Sequence, residues 1–421
     1  MSFEMAQANL ALAARIAAPA PAAEAGQCHI CGAAHALAPI SLSGWQLVSS
    51  DCRGWTAPLL LGQCPACRTV QKVINRRWRQ ESARVYRGYS PYHQAGGAEQ
   101  KVASPTTGVL KSRSEVLLER LMLALPFGDG GKMLDIGCGT GVMLRAFHAA
   151  RPGWSLAGYD RLGVFRGAIE SIAPGCSFHR GTFTAITGRY DFISLVHSLE
   201  HMVDPVAFLA EVAPKLSDTG VLLVQVPDAE ANPFDLMVVD HCTHFTEHTL
   251  AATAIAAGFQ NVRVVRTWAS KELSLVAGPG VPTGAIVLER RPHSESGLCA
   301  NSLAWLGGLA GLTMTVRRER PRMGIFGTSI GGIWLFEATE RTADFFVDED
   351  LGRVGRSLLG VPIYHPSEVP AGSTVISALP PPIGERIAAR LARPGVEYVC
   401  WPQPGWAGPS QGPQQLSSAS A

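Results

Sequence analysis

The stretch from Lys132 to Phe147, KMLDIGCGTGVMLRAF, constrains the chain more than any other. It opens on a short apolar run, Met133-Leu134-Asp135-Ile136, that reads as a buried strand. Three glycines follow at alternate positions, Gly137, Gly139 and Gly141, around Cys138 and Thr140. Val142-Met143-Leu144 and Ala146-Phe147 then begin a helix with an apolar face. Strand, glycine turn and helix in this order are how doubly wound α/β domains hold nucleotide-like ligands. Glycine is needed where φ turns positive or where a ligand lies against bare backbone. The helix N-terminus adds free N–H groups and a partial positive charge. The spacing is G-x-G-x-G rather than the G-x-G-x-x-G of dinucleotide folds. Asp135 stands two positions before the first glycine, where a carboxylate repels pyrophosphate and suits a cationic or polyhydroxyl ligand.

This stretch resembles motif I of the class I S-adenosylmethionine (SAM) dependent methyltransferases. The resemblance implies a Rossmann-like domain that holds SAM around Asp135, Gly137, Cys138, Gly139 and Gly141. Ser155 to Asp160 reads as the second strand, and Asp160 at its end is suited to accept hydrogen bonds from both ribose hydroxyls. Arg161 would flank the adenine. Many relatives carry an Asp after the third strand; here the matching stretch is Gly181-Thr182-Phe183-Thr184. Adenine recognition is therefore expected from backbone groups or from apolar packing, with Phe183 the candidate. Tyr190 to His197 reads as the fourth strand, followed by Ser198-Leu199-Glu200-His201. Open α/β sheets bind at the carboxyl ends of their strands, which puts His197 and His201 near the site. His201 as a buried, backbone-bonded histidine is the plainer reading.

The totals set bounds. A chain of 421 residues is long enough for two or three domains. Lys+Arg 36 against Asp+Glu 34 gives +2, which argues against non-specific nucleic-acid binding. No run of about twenty apolar residues lacks polar interruption, so no membrane span is expected. Near the N-terminus Glu4 precedes the apolar residues and Arg15 follows them, the reverse of a secretory signal. Four of the ten cysteines form two C-x-x-C pairs, which favours metal and a reducing cytoplasm over disulfides.

Those pairs are Cys28-His29-Ile30-Cys31 and Cys64-Pro65-Ala66-Cys67. Two such turns complete a tetrahedral S4 site for one structural zinc. Thr69 to Ile74 then reads as a strand. It is followed by a basic segment with Arg76, Arg77, Arg79, Arg84 and Arg87 among Trp78, Tyr86, Tyr89 and Tyr92. Its plain reading is a solvated helix; its sharper one is a cover over an anionic substrate such as a nucleotide diphosphate.

Zinc knuckles, a V-Q strand, a Y-x-x-Y segment and a methyltransferase core together resemble the sugar C-methyltransferases, which act on nucleotide-linked deoxy-keto-sugars. The resemblance spans about residues 27–400. It implies an acid–histidine pair after the fifth strand, matched here by Asp240-His241; the family more often has Glu as the acid. C-methylation beside a ketone needs a base for the α-proton, for which a histidine oriented by a carboxylate is suited. It also needs a group that stabilises the enolate, for which Tyr89 is a candidate. Where the family often has a Gly-Gly-Ser-rich last strand, this chain has Lys271-Glu272-Leu273-Ser274. His241 and His244 as structural histidines is the alternative. Transfer to oxygen or nitrogen of another small molecule or glycan, and a zinc-ribbon scaffold with a vestigial SAM fold, are the other readings of the whole chain.

Met323 to Gly332 repeats the strand, glycine turn and helix logic, with Asp348 ending a second strand and Val375 to Leu379 a third. It resembles the small C-terminal domain of the same enzymes. The expected layout is α/β throughout. A tail at 1–26 precedes a zinc-binding module at 27–103 and a SAM methyltransferase domain at 104–291. A connector and smaller Rossmann-like domain follow at 292–403, then a tail at 404–421.

Overall fold

The computed structural model describes residues 26–33, 39–90, 99, 101–103, 110–282 and 297–401. Almost all of the two expected tails, and Tyr92, lie outside the described residues.

The central sheet has seven strands: β1 Lys132–Ile136, β2 Ser155–Tyr159, β3 Ser177–His179, β4 Tyr190–Val196, β5 Leu216–Pro227, β6 Val262–Val265 and β7 Glu272–Ala277. Their order is β3-β2-β1-β4-β5-β7-β6. The first five are parallel, and β7 inserts antiparallel between β5 and β6. After Lys132 every residue of β1 is buried, as a strand covered on both faces requires. The order reverses between β1 and β4, so the crevice outside their carboxyl ends is where this topology binds ligand.

Local chemistry sets the flanking helices. Ser112 caps Arg113–Ala124 in a capping box with Glu115. Ser114, two residues on, is buried and donates through its Oγ to Glu99. The Pro205–Val212 helix tightens into a 3-10 turn over Ala213–Lys215. Pro214 lacks the N–H that would continue the ladder. β5 follows directly, from Leu216.

Two further sheets frame this one. Ile40–Ser41, Leu60–Gln63 and Val70–Lys72 form an antiparallel sheet whose fourth strand is Thr243–His244, from just after β5. The zinc-type module and the methyltransferase-type segment thus share one sheet. Toward the C-terminus, Val361–Tyr364, Phe345–Val347, Met323–Phe326, Ser373–Ser377 and Val396–Val399 lie parallel in that order. Ser357–Leu358 closes one edge antiparallel. A continuous apolar core joins this last sheet to the first module. Trp334 donates its indole N–H to Gln46 O at 2.8 Å. Phe234 packs edge-on between Trp305 and Trp334, with ring centroids 5.4 and 5.7 Å away.

Candidate active site

The glycine loop leaves β1 with two tight constraints. Gly137 has φ +74, and a Cβ there would lie 2.1 Å from Ser198 Oγ, so no side chain fits. Gly139 has φ +46 with no atom within 4 Å of its would-be Cβ, which leaves bare backbone facing open space. Gly141 starts the Val142–Ala150 helix. Asp160 closes the loop from β2: its Oδ2 accepts from Gly139 N at 2.9 Å and its Oδ1 from Leu162 N at 2.7 Å. Asp135 is buried, accepts from Ser194 Oγ at 2.7 Å and is pushed up to about 7 by burial. Burial disfavours the charged form, and a cationic ligand beside it would restore that form.

Not every residue expected in this cradle faces it. The Cys138 side chain is buried; a Cβ on Gly158 would sit 2.8 Å from its Sγ, so the thiol packs over β2 and only backbone can meet a ligand. Phe183 is likewise buried, edge-on to Tyr159 at 5.4 Å and tilted against Phe208 at 5.0 Å. Arg161 is exposed at the end of β2. His197 ends β4 in the left-handed region, φ +50. Its Nδ1 lies 3.2 Å from Glu200 Oε1, and its Nε2 meets Arg113 and lies 3.7 Å from Glu272.

Three further histidines, His201, His241 and His244, and the carboxylates Asp235, Asp240 and Glu200 converge beyond the ends of β4 and β5. The carboxylate on His241 is Asp235, not its neighbour Asp240. His241 Nδ1 donates to Asp235 Oδ1 at 2.6 Å, and His244 Nδ1 donates to Asp235 Oδ2 at 2.6 Å. Asp240 turns to the first module instead and accepts from Ser50 N at 2.9 Å and Ser50 Oγ at 2.6 Å. Adjacent residues in extended chain point apart, so the sequence pair Asp240-His241 does not make a spatial pair. His201 stands perpendicular to His241 with ring centroids 4.7 Å apart, and its Nδ1 reaches Asp240 O at 3.0 Å. Tyr86, from the Arg76–Arg87 helix, brings its hydroxyl to the same Nδ1 at 3.1 Å, and Tyr89 packs on Tyr86 at 5.5 Å. Glu200, His201 and His241 each offer a ligand-type atom, all within 4.8 Å of one another, and one buried oxygen of Glu200 has no hydrogen-bond partner among the described residues.

Burial and charge pull these groups apart. Burial raises a carboxyl such as Asp235, but His244 and His241 outweigh it and hold Asp235 well below the usual carboxylate range. Burial works against a charged His241, and Asp235 outweighs it, so its pKa is raised. His244 is lowered to about 4, by burial first and then by the Lys72 cation. Asp235 and Lys72 were not marked as site residues by the sequence, while Tyr86, first tyrosine of the Y-x-x-Y segment, and Glu200, beside His201, were named without a role. Asp235 carried one faint signal, an acid inside the apolar run Phe234-Asp235-Leu236-Met237.

At the other end of the module, Cys28 Sγ lies 3.4 Å from Cys67 Sγ and Cys31 Sγ 3.7 Å from Cys64 Sγ, with all four within 4.8 Å. A tetrahedron with Zn–S of about 2.3 Å has edges of roughly 3.8 Å. The cluster is therefore compatible with one zinc ion. All ten cysteines are free thiols. No described helix is long and apolar enough to cross a membrane.

Residues 109–264 match a family model described as a methyltransferase domain. Residues 109–264 thus carry a methyltransferase domain. Within curated relatives, the domain is similar to the ubiquinone biosynthesis O-methyltransferase of Rhodopseudomonas palustris (strain BisB5). The two are 29% identical over 127 residues, 29% of this chain and 49% of that one. The corresponding protein of Aeromonas salmonicida (strain A449) is 26% identical over 120 residues, 26% of this chain and 49% of that one. The chain thus spans about half the length of the curated relatives it matches. Among solved structures it is similar to CalO1, a methyltransferase in calicheamicin biosynthesis, in its SAH-bound form. That match has 25% identity and a TM-score of 0.33, covering 40% of this chain and 54% of that one. In this domain the bare backbone at Gly139 and the carboxylate of Asp160 lie together at the ends of β1 and β2. Asp160→Ala should weaken SAM binding about 10- to 100-fold by calorimetry, since charge-assisted hydrogen bonds are worth about 1.5–3 kcal/mol; unchanged affinity would place the ribose elsewhere.

Proposed function

We infer that the chain is a SAM-dependent methyltransferase acting on a small molecule. The reading favoured is C-methylation beside the ketone of a nucleotide-linked keto-sugar, with His241 as the base. The observation that carries it is the buried Asp235–His241 pair, which ties Nδ1 of His241 and leaves Nε2 as the atom that can take a proton. SAM, when bound, supplies an electrophilic methyl group on a sulfonium. Asp135, Gly137, Gly139, Gly141 and Asp160 would hold it, with backbone alone from Cys138. Asp235 keeps His241 in the tautomer that accepts at Nε2 and stabilises the imidazolium formed when the α-proton is taken. Tyr89, packed on Tyr86, and His201, edge-on to both Tyr86 and His241, are the proposed hydrogen-bond donors to the enolate oxygen. The four thiolates of Cys28, Cys31, Cys64 and Cys67 are proposed to hold one structural zinc, with no position left over for chemistry.

O-methylation is the second reading, favoured by the names of the curated relatives. The same base would deprotonate a hydroxyl. One experiment separates the two. The protein is incubated in heavy water with a panel of nucleotide-linked 4-keto-deoxysugars and a SAM analogue that cannot transfer. Deuterium entering the carbon α to the ketone of one sugar supports the enolate route. No exchange, with SAM consumed on a hydroxylated acceptor, replaces it with O-methylation.

A further inference from the structure

Lys72 is fully buried, and its ammonium group lies inside the candidate active site although it comes from the first module. It donates to His244 Nε2 at 2.9 Å and to Leu236 O at 2.7 Å. Burying a lysine is costly unless it is paired and hydrogen-bonded. Burial lowers its pKa to about 8, partly restored by Asp235, which leaves it charged near neutral pH.

We propose that Lys72 is a positioning residue for the base: through His244 and Asp235 it sets the tautomer and orientation of His241. This rests on the reading of His241 as the base. The argument is a chain of donors. An ammonium group has N–H bonds to give and no lone pair to receive. His244 must therefore accept at Nε2, which puts its proton on Nδ1, where it donates to Asp235 Oδ2. The other oxygen of Asp235 is then the one that accepts from His241 Nδ1, which frees His241 Nε2. Each ring has one arrangement that satisfies its neighbours, and the chain is fixed at both ends: Lys72 only donates and the ionised Asp235 only accepts. Without Lys72, His244 Nε2 could take a second proton, and the resulting imidazolium would neutralise Asp235 and weaken its hold on His241.

The first module delivers Lys72 with defined register. Val70–Lys72 pairs with Thr243–His244, Thr243 opposite Gln71 and His244 opposite Val70. His29, inside the first C-x-x-C turn, lies with its Nδ1 2.8 Å from Thr243 Oγ1, and its backbone N–H donates to Gln71 Oε1 at 2.9 Å. The thiol cluster is thus tied by side chains to the strand that carries His244.

The test uses the full chain with Lys72→Met and Lys72→Gln. Methionine matches the stem and gives no hydrogen bond; glutamine has an amide N–H that can still donate. Nitrogen NMR of histidine-labelled protein near neutral pH reads the protonation of each ring nitrogen without any acceptor substrate. The expected result is that Lys72→Met changes the His244 and His241 signatures while Lys72→Gln keeps them. SAM affinity should be the same in all three proteins. On a keto-sugar that exchanges its α-proton, Lys72→Met should lose about 10- to 100-fold in kcat with little change in KM, as loss of orientation predicts, and Lys72→Gln should recover most of it. Histidine signatures unchanged in a folded Lys72→Met protein overturn the proposal. If Lys72→Met does not fold, Lys72→Gln decides: wild-type signatures support the proposal and altered ones overturn it. If no acceptor turns over while the signatures respond to Lys72, the reaction assignment fails and the tautomer control stands.

Discussion

His241→Gln should remove methyl transfer by about 10³-fold or more while leaving SAM affinity unchanged, because a positioned base contributes roughly 10²–10⁴-fold. Asp235→Asn should cost nearly as much. The amide cannot stabilise the imidazolium and can force the wrong tautomer, a change that costs about 10⁴-fold in the serine-protease triad. Asp240→Asn should cost far less, since Asp240 is bonded to Ser50 and not to His241. The base acts when neutral, so kcat/KM should rise with pH through the pKa of His241. That rise should lie above the usual histidine range, because Asp235 raises the pKa. Steady-state kinetics across pH, with calorimetry for SAM, checks each point. Full activity in His241→Gln would assign the base elsewhere, and equal losses in the two aspartate variants would undo the role of Asp235.

Loss of the zinc proposed at the thiol cluster should be as severe, for a different reason. Metal analysis should find one zinc per chain in the native protein and none in Cys64→Ser. Zinc binding in small S-ligated modules carries about 10–16 kcal/mol that is also folding free energy, comparable to the entire stability of a domain, about 5–15 kcal/mol. Without it the sheet of Ile40–Ser41, Leu60–Gln63 and Val70–Lys72 should open and withdraw Lys72 from His244. Methyl transfer should fall below detection. SAM affinity should change by no more than about 10-fold, because the glycine loop and Asp160 belong to the other sheet. A metal-free protein with native activity would remove the zinc assignment and the coupling together.

The parts of this molecule that sequence could disclose are those whose chemistry is local. β1 and its glycine loop are legible because a buried strand reads as an apolar run and the turn needs positive φ at Gly137 and Gly139. The thiol cluster is legible because each C-x-x-C turn already holds two ligands. Asp235 is not, because it sits in the 3-10 turn Pro233–Met237 and meets His241 only when that turn is clamped by Phe234 between Trp305 and Trp334. Nor is Lys72, 172 positions from His244, where no spacing rule applies. The pair Asp240-His241 misled for the same reason in reverse: sequence adjacency suggested contact, and the backbone sends the two side chains to different partners.

The strand shared between Val70–Lys72 and Thr243–His244 also bears on synthesis at the ribosome. At about 5–20 residues per second, the 172 positions separating Lys72 from His244 take roughly 10 to 30 s to emerge. Throughout that interval the Val70–Lys72 edge has no native partner, and an unpaired edge invites other chains to add to it. Gln71 and Lys72 put an amide and a charge on that edge, which blunts it until Thr243 arrives. The residue that steadies the histidines of the finished protein is thus also placed to guard the nascent one.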